Sequence, residues 1–113
     1  MNWKEVYELP LSTYDNTWVY DKDDHFVFEF NYENMAEELC EKILNKLNGV
    51  GDFKLEVYYD KKSQQIHVSE SEWIILMRGW GRLTSPNCWG LSDADAMEVQ
   101  DTFAQHIVEI LSK

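Results

Sequence analysis

Cysteine is scarce in this chain: only Cys40 and Cys88 occur, and they do not form a CxxC pair. Two cysteines are too few for a disulfide framework and lack the spacing of a structural zinc site. Cys40 falls on the apolar face of a predicted helix, where a free thiol acts as a small hydrophobe. No apolar run approaches the ~20 residues that a membrane span needs. The opening Met1-Asn2-Trp3-Lys4-Glu5 leads into no apolar stretch of a secretory signal, so the expected location is cytoplasmic, away from any membrane. Basic residues are also few, ten Lys plus Arg against twenty-one Asp plus Glu, for a formal charge of −11. A surface of that sign repels phosphate backbones, which excludes direct nucleic-acid binding as the expected activity. Catalytic and cofactor signatures are missing as well. There is no HExxH, no GxGxxG and no P-loop lysine, so neither metal nor cofactor is expected.

What is present is an apolar fraction of 44% with Trp, Tyr and Phe at five, six and five copies, in 113 residues. A chain of this size buries roughly 65% of its unfolded surface, enough for one core in a single domain spanning residues 1–113. Residues 1–13 read as a short helical turn or an edge strand, with Pro10 limiting either. Thr17–Tyr20 and His25–Phe30 then read as strands joined by the polar turn Asp21-Lys22-Asp23-Asp24. Strict alternation predicts Phe26, Phe28 and Phe30 on one face of the second strand, with Val27 and Glu29 on the other.

Met35/Ala36, Leu39/Cys40, Ile43/Leu44 and Leu47 recur at three- and four-residue intervals and predict an amphipathic helix. Asn31 is its expected N-cap and Asn48-Gly49 its left-handed stop. Alternation from Phe53 to Tyr59 predicts a strand, followed by Gln65–Ser69 and the apolar Trp73–Met77 as a central strand. Ser92 caps a last helix whose stripe is Val99, Phe103, Ala104, Ile107, Ile110 and Leu111. The order ββ-α-βββ-α predicts an α+β fold: an antiparallel sheet of about five strands with two helices packed on one face. A faint echo links Trp18-Val19-Tyr20-Asp21-Lys22 to Val57-Tyr58-Tyr59-Asp60-Lys61.

The Trp18-Val19-Tyr20-Asp21 hairpin, leading to a helix that ends Leu47-Asn48, resembles small proteins of phages and bacterial mobile elements. The segments Arg78-Gly79-Trp80-Gly81 and Gln100-Asp101-Thr102-Phe103-Ala104 resemble proteins of gut Bacteroidales. Neither group brings an assigned activity, and the resemblance implies an accessory role.

Two sets of residues are candidates for function. The Arg78–Gly90 stretch holds Arg78, Trp80, Arg82 and Trp89, which can grip a carboxylate of a small molecule or peptide by bidentate hydrogen bonds and stacking. The same residues can instead lock the last strand to the last helix. The second set is acidic: Asp21, Asp23 and Asp24 in the first turn, with Glu33, Glu37 and Glu41 at four-residue intervals on the first helix. Like charges at i, i+4 cost stability, so such a stripe can serve to imitate DNA phosphates and inhibit a DNA-binding protein. The plain alternative is a solvated helix face, and for the three aspartates a solvated turn. His25, His67 and His106 stand alone in sequence; a pair with Cys88 or Ser85 would need adjacency in space, and ordinary surface or half-buried histidines are the expectation. The leading expectation is therefore a small, non-enzymatic protein that acts through contact with an unknown protein partner, with self-association as a homodimer left open.

Overall fold

The computed structural model describes residues 2–14, 17–31, 35–69, 72–76 and 92–113. A 3-10 helix, Trp3–Glu5, opens the chain. Asn2 and Glu5 close a reciprocal capping box around it. Then come β1 (Ser12–Tyr14), β2 (Trp18–Tyr20), β3 (Phe26–Phe30), α1 (Glu37–Leu47), β4 (Tyr58–Asp60), β5 (Gln65–His67), β6 (Trp73–Leu76) and α2 (Asp93–Leu111). The fold is α+β. The strands form one six-stranded sheet in the order β1-β2-β3-β6-β5-β4, antiparallel at every pairing.

Two meanders, β1-β2-β3 and β4-β5-β6, are thus each followed by a helix and meet where β3 pairs with β6. The five-residue echo in the sequence does not mark this repetition. It matches β2 to β4, which hold different places in the two halves. The sixth strand, β1, lies where a helical turn or an edge strand was expected, and the segment supplies both. Its approach is fixed from α1: the Asn48 side chain accepts from the Leu11 amide at 2.7 Å and donates to the Leu11 carbonyl at 2.8 Å.

Register explains the core. Val19 faces Phe28, Phe28 faces Leu76, Phe30 faces Ile74 and Ile74 faces Ile66. Opposed residues in a ladder share a face, so these side chains line one side of the sheet. All are buried there with Cys40, Ile43 and Leu47 of α1 and Val99, Phe103, Ala104, Ile107 and Leu111 of α2. The Phe28 and Phe103 rings lie 6.2 Å apart, and the Tyr59 hydroxyl donates to Asp101 of α2 at 2.6 Å. The two helices also touch each other.

Three expectations need correction. Asn31 does not cap α1; Ala36 occupies that position without a side-chain bond. The Asn31 amide instead donates to the Trp73 carbonyl at 3.0 Å, which carries the β3–β6 pairing one residue further. The strand predicted from Phe53 is ladder-paired only over Tyr58–Asp60. Upstream, the Leu55 amide donates to the Leu111 carbonyl at 2.7 Å, so this segment is tied to the end of α2. Phe26 does not share a face with Phe28. Between Val19 and Tyr20 the register shifts, so that Val19 opposes Phe28 while Tyr20 opposes Phe26. Val27 is the extra residue of a β-bulge, and a bulge breaks the two-residue period. Val27 turns inward, only 2% exposed, and Phe26 goes to the opposite face with Tyr20 and Glu29.

Candidate interaction face

The side of the sheet away from the helices is built by the residues that alternate with the core. One transverse row runs through the registered pairs Tyr14, Trp18, Glu29, Ile75, Gln65 and Asp60, from β1 to β4. A second row, Tyr58, His67 and Trp73, crosses β4, β5 and β6. A third, Ser12, Tyr20 and Phe26, crosses β1, β2 and β3. No described helix packs on this side. Tyr14 is 58% exposed, Trp18 46% and Tyr58 59%, while Tyr20, Phe26, Trp73 and Ile75 are half-buried by their neighbours.

The rings form two groups. On one half Tyr20 meets Tyr14 edge-on at 5.0 Å and lies 5.3 Å from Phe26. On the other, Tyr58 stacks on His67 at 5.2 Å, and His67 is 6.4 Å from Trp73. Such contacts fix ring orientations before any ligand arrives. Between the groups the Trp18 indole N–H donates to Glu29 Oε2 at 3.0 Å, which holds that carboxylate beside the ring. Beside Tyr58 an open groove of about 480 Å³ is lined by Glu56, Val57, Tyr58, His67, Val68 and Ser69. Asp60 Oδ2 stands 3.9 Å from His67 Nε2. Hydrogen bonds, above all from the Ser63 side chain, hold the Asp60 carboxyl below its ordinary value of 3.8 and so keep it charged.

The acidic set does not assemble as one patch. Asp21 is 1% exposed. It accepts from the Glu8, Asp23 and His25 amides, each at 2.9 Å, and lies 3.0 Å from His25 Nδ1. The carboxylate thus folds its own turn inward and ties it to the strand-entry segment, which corrects the expectation of a solvated residue. Asp23 and Asp24 are exposed in that turn, and Glu37 and Glu41 are exposed on α1. Candidate ligand atoms of Asp21, Asp23 and His25 come within 4.8 Å of one another. Both Asp21 oxygens already accept protein hydrogen bonds, so the trio is accounted for as a structural lock.

Arg78, Trp80, Arg82 and Trp89 lie outside the described residues, as does Glu33. Cys40 is buried, and burial first, then the nearby Glu72 carboxylate, pushes its thiol up to about 11, which leaves it protonated and inert. His106 sits 4.4 Å from the Trp3 ring, and burial, then Lys4, lowers its pKa.

The open aromatic face was not among the sequence candidates. Its signal was present in Trp18 and Tyr20, which flank the core residue Val19, and in Trp73 and Ile75, which alternate with Ile74 and Leu76. That run reads as apolar on both faces, and composition alone does not say which face the helices leave uncovered. Among the described residues no helix is long and apolar enough to cross a membrane. Comparison of the chain with family models, curated proteins and solved structures finds no match.

Proposed function

We propose that this chain is a non-enzymatic binding protein that docks a partner protein on the open face of its sheet. The observation that carries this reading is the exposure of Tyr14, Trp18 and Tyr58, at 58%, 46% and 59%, on a face that no described element covers. Exposed aromatic side chains on one face are a feature of interaction sites, and Tyr and Trp are enriched among the residues that dominate binding energy. The rings are already oriented by one another and by Glu29, so little side-chain freedom remains to be lost on association. In the same proposal the protein works in the cytoplasm as an accessory factor of a phage-like or mobile element; the accessory role rests on the sequence resemblance alone.

The test is capture from host-cell lysate by the immobilised chain, compared with Trp18→Ser, Tyr58→Ser and Val50→Ser. Val50 is 61% exposed but lies outside the strands, so it controls for loss of surface hydrophobicity. A docking partner is retained by Val50→Ser and lost from both face variants, each of which should weaken binding about 30-fold, the effect of a 2 kcal/mol hot spot. A partner kept equally by all the variants places the contact elsewhere. Recovery of the chain alone argues against a heterologous partner.

A further inference from the structure

We infer that the occupant of this face is a lysine- or arginine-rich segment of the partner, with its cations stacked on the rings and paired with Glu29, Asp60 and Glu56. The inference rests on the docking role proposed above and specifies its chemistry. None of the six strands, as bounded here, contains a lysine or an arginine. Among the described residues Glu29 thus meets only the neutral Trp18 indole, and Asp60 only His67 and groups of its own turn, with no strand cation beside either. Both lie in the same transverse row, three strand spacings apart in the order β3-β6-β5-β4. At about 4.8 Å per spacing that is ~14 Å, the reach of roughly four residues of extended chain.

Each anionic position stands beside an aromatic surface that suits a cation. Glu29 Oε2 is held by the Trp18 indole N–H, and among the described residues Oε1 has no hydrogen-bond donor, next to an exposed ring. Asp60 is in the same strand as Tyr58, and Glu56 lines the groove against Tyr58 and His67. A guanidinium or ammonium over an aromatic face gains about 0.5–2 kcal/mol, and a carboxylate alongside adds charge-assisted hydrogen bonds. The net charge of −11 attracts a basic segment from a distance and favours its encounter.

The same charges disfavour two other occupants. A second copy would bring Glu29 and Asp60 against another chain of −11. A nucleic acid would set phosphates against carboxylates, with no lysine or arginine in the described strands to neutralise them.

The full chain is titrated by calorimetry with nona-arginine, with nona-citrulline as a neutral near-isostere, and with a neutral hexasaccharide that tests stacking alone. The double variant Glu29→Gln/Asp60→Asn removes two of the three carboxylate charges assigned to the contact. Glu37→Gln/Glu41→Gln removes the same charge from α1, and circular dichroism checks that both variants fold. The expected result is binding of nona-arginine but not of nona-citrulline, about tenfold weaker in the face variant and less than threefold weaker in the helix variant. Equal losses in the two variants would show general attraction to an acidic surface and overturn the inference. Equal binding of arginine and citrulline peptides would overturn the cationic partner while leaving the face as a docking site. Binding of the hexasaccharide alone would overturn both this inference and the protein-docking reading. Silence of every probe would overturn the basic segment, whereas the lysate capture reports on the docking role separately.

Discussion

Asp21 is a carboxylate whose surroundings leave it no outward role. Three backbone amides donate to it at 2.9 Å and His25 Nδ1 stands at 3.0 Å, all in a site 1% exposed. Asp21→Ala strands those donors, and a buried donor without its acceptor costs about 1–3 kcal/mol. The variant should therefore lose roughly 3 kcal/mol or more in urea unfolding, against under ~0.5 kcal/mol for the exposed Asp24→Asn, which suits the left-handed φ of +64 there. A loss no larger than that of Asp24→Asn would refute the lock. His106 makes a different residue-scale prediction. Burial against Trp3 and Phe103, then the Lys4 charge, holds its pKa below the ordinary 6.5. Below that pH the unfolded chain binds a proton that the folded chain resists, so stability is present above 6.5 and is lost as pH falls through the lowered value. His106→Phe should flatten the fall in urea midpoint between pH 7.5 and 5, with the same fall in both proteins as the contrary outcome.

Among the elements, β3 carries the sharpest test because its bulge reverses what alternation predicts. Val27 is 2% exposed and Phe26 half-buried on the open face. Val27→Asp places an unpaired charge in the core and should cost about 3–5 kcal/mol or abolish folding. Phe26→Ser should cost less than ~2 kcal/mol, since only part of its area leaves water. Regular alternation requires the opposite ranking, which differential scanning calorimetry would detect. The helices were legible because their apolar stripes, the Ser92 cap and the Asn48-Gly49 stop are local signals. Ser92 does accept from the Asp95 amide at 3.1 Å, and Gly49 takes φ +84. The bulge was not legible, because it is set by which β2 residue finds which β3 partner. The loss of pairing before Tyr58 has the same origin, a bond from Leu55 to the distant end of α2. As to function, the acidic turn was visible as composition, but the inward turn of Asp21 was not. The aromatic face needed the topology, since it emerges only once both described helices are placed on the other side of the sheet.

For the whole molecule, the charge of −11 makes opposite demands on stability and on binding, and salt separates them. The exposed ion pairs Lys42–Glu38 at 3.5 Å and Lys113–Glu109 at 3.3 Å are of a kind worth little. Like charges such as Glu37 and Glu41 at i, i+4, with no ion pair among the described residues, repel along α1. Screening therefore removes more repulsion than attraction. Between 10 and 300 mM NaCl the Debye length falls from about 30 Å to under ~8 Å, and the midpoint of urea unfolding at pH 7 should rise. Over the same range a basic segment held by Glu29 and Asp60 should bind more weakly, because its carboxylates sit on an exposed face. The two salt slopes should thus have opposite signs, one measured by denaturation and the other by titration with nona-arginine. A midpoint that falls with salt would mean that attractive pairs dominate the surface. Peptide affinity that ignores salt would mean that the aromatic rings alone hold it, and the carboxylates would lose the part assigned to them.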